Sequence, residues 1–211
     1  MPVDVPQYPV SLLVEGLDCL VVGGGPVAAR KAEGLRRCGA RVHVVAPAVG
    51  DEVRALPDVT WDERPYRAGE AAAYRLVMAA TDDPDVNAEV FRDGQGSGAW
   101  VNAADDPAHC SFTLPSVARR GPLTVAISTG GHSPALAVWL REHVDEEMGP
   151  EFEVLLGLLS DERQRLHGEG RSTEGLDWQS ALDSDMLSLI RAGEIQRARE
   201  RLQACLSSSS D

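Results

Sequence analysis

The stretch Asp18-Cys-Leu-Val-Val-Gly23-Gly24-Gly25-Pro26-Val27-Ala28-Ala-Arg-Lys31 decides the fold. Its first residues form an apolar run that ends in glycines, as a buried parallel strand does. Pro26 suits the first turn of a helix. Val27, Ala28, Lys31 and Leu35 then recur at helical spacing until Cys38-Gly39 closes the segment. Between strand and helix, Gly23-x-Gly25-x-x-Ala28 fits the pattern G-x-G-x-x-G/A. Gly23 permits the tight turn, Gly25 lets the backbone approach a pyrophosphate, and Ala28 lets helix and strand pack closely. The helix N-terminus adds free N–H groups and a partial positive charge. This predicts a dinucleotide site at Gly23, Gly24, Gly25, Pro26 and Val27. The plainer alternative is a glycine-rich turn that holds no ligand.

Outward from this turn, strand and helix signals alternate. Arg41–Ala46 reads as a second strand stopped by Pro47. Val59–Glu63, Leu76–Ala80 and Trp100–Ala103 read as three more, with helices over Asp51–Leu56 and Asp83–Arg92. The fold class expected is α/β, a Rossmann-like parallel sheet with helices on both faces. A ribose-binding Asp or Glu should end the second strand. That place is Ala46-Pro47-Ala48, so local chemistry does not choose NAD over NADP, and backbone contacts from Ala46, Pro47 and Ala48 must hold the adenosine end. Past residue 110 the pattern changes. Ser111–Arg119 and Leu123–Ser128 read as an antiparallel pair around Arg120-Gly121-Pro122. A Gly-rich turn then leads into a helix over Pro134–Met148, and only helical periodicity follows, broken at Gly168–Gly175. The expected division is a nucleotide domain at 1–112, a small β/α dimerisation region at 113–149, a helical domain at 150–206 and a disordered tail at 207–211.

Composition excludes several classes. Thirty-three acidic residues against 20 basic ones give a net charge of -13, the wrong sign for a nucleic-acid binder. Lys31 is the only lysine. No apolar stretch is long enough to span a bilayer. Met1-Pro2-Val3-Asp4 carries no basic or apolar leader, so the expected location is cytoplasmic. Cys19, Cys38, Cys110 and Cys205 lie far apart, which fits neither a disulfide framework nor a zinc site. His109, Cys110 and His132 likewise match no standard metal-ligand spacing, and no fixed protein metal is expected.

Five motifs occur in order: Val21–Lys31; Ala79-Ala-Thr81-Asp-Asp83 with Val86-Asn87; Asn102-Ala-Ala-Asp105; Ser111-Phe-Thr-Leu-Pro-Ser116; and Val125-Ala-Ile-Ser128-Thr129-Gly130-Gly131-His132-Ser133-Pro134. Together they resemble the precorrin-2 dehydrogenase / sirohydrochlorin ferrochelatase family, the N-terminal module of siroheme synthase. The resemblance covers about residues 8–148, and the helical tail is similar to the family's dimerisation region. It implies NAD as cofactor, precorrin-2 as the tetrapyrrole substrate, sirohydrochlorin as product, and a homodimer. In many members it also implies Fe²⁺ as a co-substrate inserted into that product, with the macrocycle nitrogens as final ligands. The chain ends at Asp211, where the family's methyltransferase module would follow, so methylation of the precursor is expected to fall to another protein.

The resemblance gives the residues roles. Asp105, just past a strand end, is the matched carboxylate and the expected proton acceptor, with Asp106 beside it as the alternative. A loop-capping role is the plainer reading of either. Thr81 and Asn102 are expected to line the nicotinamide end. The macrocycle carries several carboxylates and the protein is acidic, so local positive groups must compensate. Arg119, Arg120 and the Ser128, Thr129, Gly130, Gly131, Ser133 loop are the candidates, although Arg119-Arg120 also reads as a solvated hairpin turn. The rival to an enzyme is a regulatory Rossmann module that senses NAD(H) without chemistry.

Overall fold

The computed structural model describes residues 5–207, so residues 208–211 of the expected tail lie outside the described residues. The chain divides into two compact units. One runs to Leu114 and takes in Gly130–His132; the other is Pro115–Thr129 with the residues from Ser133 onward.

The first unit is a five-stranded parallel sheet with the order β3-β2-β1-β4-β5. The strands are β1 (Asp18–Val22), β2 (Arg41–Ala46), β3 (Val59–Glu63), β4 (Leu76–Ala79) and β5 (Trp100–Ala103). Successive side chains of a strand face opposite ways, so a central strand covered on both faces must be apolar throughout. Cys19 and Val21 accordingly enter one core, beneath Ala28, Ala32 and Leu35 of α1 (Pro26–Arg37) and Val53 of α2 (Asp51–Arg54). Leu20 and Val22 enter the other, with Val90 of α3 (Pro84–Ser97). The strand order reverses direction between β1 and β4, and the glycine turn sits at that switch point, where doubly wound sheets bind ligands.

Helix α3 runs past Arg92, through two glycines that read as breakers. A Cβ on Gly94 would lie 2.4 Å from the Val101 side chain, so this glycine serves close helix–strand packing. Asp83 caps its start, accepting from the N–H groups of Asp85 and Val86. The expected strand from Ser111 begins only at Ser116. Residues before it fold back on β5 instead, with a single bridge between Asn102 and Cys110 and a bond from the Ser111 N–H to the Val101 carbonyl.

The second unit begins with an antiparallel hairpin, β6 (Ser116–Arg120) and β7 (Leu123–Ile127), joined by Gly121-Pro122. Small residues, Ala118 and Ala137, bring α4 (Pro134–Glu147) down onto it. Four helices follow: α5 (Glu151–Gly168), α6 (Trp178–Leu182), α7 (Met186–Arg191) and α8 (Ile195–Ser207). Leu155, Leu158, Met186, Leu189, Ile190 and Leu202 form their core, while Leu182 of the same stripe is exposed.

Glu162 is buried in this helical core at 1% exposure. Arg165 meets it at 2.6 Å and Gln203 at 3.1 Å. The Arg165 guanidinium holds its carboxyl below the ordinary 4.5. The pair therefore stabilises the fold fully above about that pH and fades as pH falls through the lowered native value. Glu162→Gln should cost about 2 kcal/mol at neutral pH, the worth of a hydrogen bond to a charged group. Thermal melts between pH 7.5 and 4 check this: the gap to wild type should narrow in acid, where Glu162 is itself becoming neutral.

Candidate active site

The three glycines of the turn have different reasons to be glycine. Gly23 has φ 129°, and a Cβ there would lie 2.2 Å from the Ala80 carbonyl oxygen at the end of β4. A Cβ on Gly24 would lie 2.0 Å from the carbonyl oxygen of Ala48. Both are demanded by the protein's own backbone. A Cβ on Gly25 would meet nothing within 4 Å. Gly25 is the N-cap of α1, Pro26 has no N–H to offer, and among the described residues no acceptor takes the N–H of Val27 or Ala28. Open space in front of unpartnered N–H groups fits a pyrophosphate.

Ala46 ends β2, and Pro47 and Ala48 follow exposed. A carboxylate does lie nearby, on the next strand. The β2–β3 register sets Glu63 opposite Ala46, and its side chain accepts from the Val49 N–H at 3.2 Å and from Arg54 at 2.7 Å. Arg54 holds this carboxylate below its ordinary range. Sequence reading missed Glu63 because it lies 17 residues beyond Ala46, across a strand pairing that only the fold reveals.

At the end of β4, Thr81 is fixed by a buried Asn87. Its hydroxyl donates to Asn87 Oδ1 at 2.8 Å, and Asn87 Nδ2 donates to the Thr81 carbonyl at 3.0 Å. The hydroxyl is occupied, so Thr81 has its methyl and backbone to present. Asn102, on β5, is buried and committed at both ends of its amide. Oδ1 accepts from Lys31 Nζ at 2.7 Å and Nδ2 donates to the Phe112 carbonyl at 2.9 Å.

The turn after β5 separates the two neighbouring carboxylates. Asp106 lies 2.6 Å from His109 Nδ1, and that imidazole holds it below its ordinary range. Asp105 is exposed, and no hydrogen bond or ion pair to the described residues engages its carboxylate. Its φ of 57° places it in the left-handed region, which Asp tolerates better than most residues. The Ala104 N–H bonds to the Ala79 carbonyl, so Asp105 emerges at the same carboxyl edge of the sheet as Gly23 and Thr81.

In the second unit, Ser133 caps α4 by accepting from the Leu136 N–H at 3.2 Å, and its own N–H donates to Thr129 Oγ1. Gly130 and Gly131 follow Ser128 and Thr129 with φ of 59° and 79°, conformations that suit glycine alone in succession. Arg120 belongs to the opposite end of α4. Its guanidinium donates to the carbonyls of Met148 and Asp145 and pairs with the Asp145 side chain. The Arg119 side chain is exposed beside that same turn. The expected grouping of Arg119 and Arg120 with Ser133 is therefore corrected. A 14-residue helix separates the two ends by about 20 Å, and Arg120 is spent satisfying the last carbonyls of α4.

The switch-point turn, the open space at Gly25 and the strand-end residues around it define an NAD(P)-binding domain of the Rossmann type. The family described as Putative NAD(P)-binding matches residues 10–116, and that described as Sirohaem biosynthesis protein central matches residues 120–147. The chain belongs to the first of these, the NAD(P)-binding family, whose model covers half of its length. It is 35% identical over 206 residues to the siroheme synthase of Nitrosococcus oceani, covering 95% of this chain and 44% of that protein. It is 36% identical over 212 residues to that of Nitrosomonas europaea, covering 96% and 44%. The chain thus spans under half the length of these relatives. Among solved structures it resembles "SirC, precorrin-2 dehydrogenase" with a TM-score of 0.69 and 26% identity, covering 94% of this chain and 98% of that one. Among the described residues no helix is long and apolar enough to cross a membrane.

Proposed function

We propose that this chain is a cytoplasmic enzyme that oxidises precorrin-2 to sirohydrochlorin with NAD as cofactor, a step of siroheme biosynthesis. The observation that carries this reading is Asp105, an unengaged carboxylate at the same sheet edge as the open glycine turn. NAD⁺, when bound, accepts a hydride. Gly25, Val27 and Ala28 hold its pyrophosphate through backbone N–H groups, and Ala46, Pro47 and Ala48 line the adenosine end. Glu63 favours NAD over NADP, because a 2′-phosphate would meet its negative charge. Thr81 and the strand end at Asn102 border the nicotinamide end. Asp105 takes the proton that leaves the macrocycle as the hydride departs.

The loop Ser128, Thr129, Gly130, Gly131 and Ser133 is the proposed seat of a macrocycle carboxylate, with Gly130 and Gly131 in the left-handed region of a backbone nest. Where Fe²⁺ is inserted, it enters as a co-substrate, and Asp105 accepts the pyrrole N–H protons. Incubating sirohydrochlorin with Fe²⁺ or Co²⁺ and following its visible spectrum tests that second activity. Turnover of precorrin-2 separates the enzyme from an NAD(H)-sensing module, which would bind the nucleotide and leave precorrin-2 unchanged.

The domain reading stays as proposed above, with residues 113–149 serving dimerisation. Leu136 and Trp139 are exposed along α4, and the Trp139 ring stacks on His143. Large apolar side chains in a row of this kind are what a homodimer covers. Sedimentation of the full chain at micromolar concentration should give a dimer, and Trp139→Glu should shift it toward monomer. A monomeric wild type would contradict the assembly.

A further inference from the structure

Lys31 is the only lysine of the chain, and it does not point to solvent as a helix-surface lysine would. From the second turn of α1 it reaches Asn102 on β5, 71 residues away, and donates to Oδ1 at 2.7 Å. Asn102 passes the constraint on, since its Nδ2 donates to the Phe112 carbonyl and the Cys110 Sγ lies 3.5 Å from the same nitrogen. Two segments are thereby fixed together: the end of β5, which leads into the left-handed turn at Asp105, and the segment at 110–112 that folds back on it. Burial pulls the Lys31 ammonium below its ordinary range, while Cys110 and Asp105 act to raise it and Arg30 to lower it. These are the charged or titratable groups that act on it, from the β5 turn, the segment that folds back on β5 and its own helix.

We propose that Lys31 is a positioning residue for the oxidation: through Asn102 it fixes the end of β5 and with it the turn that carries Asp105. The inference rests on the reading of Asp105 as the proton acceptor. Arginine is used at every other basic position of this chain. A guanidinium is planar and wider than an ammonium, so the compact charge on a flexible stem fits a single carbonyl acceptor in a narrow space between helix and strand.

A single lysine makes the test direct. Lysine labelled with ¹³C at Cε gives one resonance, and its pH titration reports Lys31 alone. The midpoint should lie below the ordinary 10.5 and should fall by a further half unit or so in Asp105→Asn, because removing a negative charge that acts on it disfavours the ammonium. In turnover, Lys31→Met should lower kcat by about 10–100-fold, with the KM for NAD⁺ changed less than about threefold. Lys31→Arg should recover part of the loss. In an Asp105→Asn background, Lys31→Met should add little, as coupled residues do. A Lys31 midpoint indifferent to Asp105→Asn overturns the proposal, as does full kcat in Lys31→Met. If the wild type does not oxidise precorrin-2, the assigned reaction fails, and the titration still decides whether Lys31 and Asp105 are coupled.

Discussion

Asp105→Asn is expected to slow precorrin-2 oxidation by about 10²–10⁴-fold, the range for loss of a general base. The substitution is unusually clean at this position. Asp105 has φ 57°, and Asn is the residue that best tolerates that region after glycine, so the turn should keep its shape. No hydrogen bond or ion pair to the described residues is lost with the charge. The thermal midpoint and NAD⁺ affinity should therefore change little, the latter because the proposed pyrophosphate site is the glycine turn. Asp106→Asn is the internal control. Asp106 is tied to His109 at 2.6 Å, so its loss should loosen the following helical turn and slow oxidation only mildly. If the two variants reverse, Asp106 is the working carboxylate. If neither slows oxidation, the proton passes to water and positioning alone carries the rate.

Gly25→Asp should raise the Kd for NAD⁺ by about 100-fold or more while leaving the fold intact. The new Cβ meets nothing within 4 Å in the protein itself. An aspartate at the N-cap of α1 is even a favourable choice for the helix, since its carboxylate can accept the free N–H groups there. What it cannot do is share that space with a pyrophosphate, whose charge it repels and whose N–H partners it takes. Gly24→Ala is the contrasting case. Its Cβ would sit 2.0 Å from the Ala48 carbonyl, so that variant should lose stability before it loses a ligand. Calorimetric titration with parallel thermal melts distinguishes the two. A Gly25→Asp protein that is folded and binds NAD⁺ normally would place the nucleotide elsewhere.

The elements legible in the sequence are those whose signals are local. The apolar run Asp18–Val22, the glycines and Pro26 fix β1, its turn and α1, because strand burial, backbone freedom and helix capping each act within a few residues. The motif at Ser128–Pro134 is legible as a glycine turn into a capped helix for the same reason. What was not legible depends on pairing across the chain. Glu63 becomes a neighbour of Ala46 only through the β2–β3 register. Lys31 reads as one more charged helix residue until the fold brings Asn102 of β5 within reach of its side chain. Arg120 reads as a substrate ligand because an acidic protein needs local positive charge to hold an anion, and only the packing of α4 shows the carbonyls it satisfies. The extension of α3 beyond Arg92 depends on Gly94, whose lack of a side chain admits Val101 from β5.

The central claim is that this chain moves a hydride from precorrin-2 to NAD⁺. It is tested most directly by mixing the full chain with both under strict anaerobiosis and following absorbance at 340 nm together with the visible spectrum of the macrocycle. One NADH is expected for each sirohydrochlorin formed, with a weaker or absent reaction with NADP⁺ and near-complete loss with Asp105→Asn. Tight NAD⁺ binding with no NADH and no change in the macrocycle spectrum would contradict it.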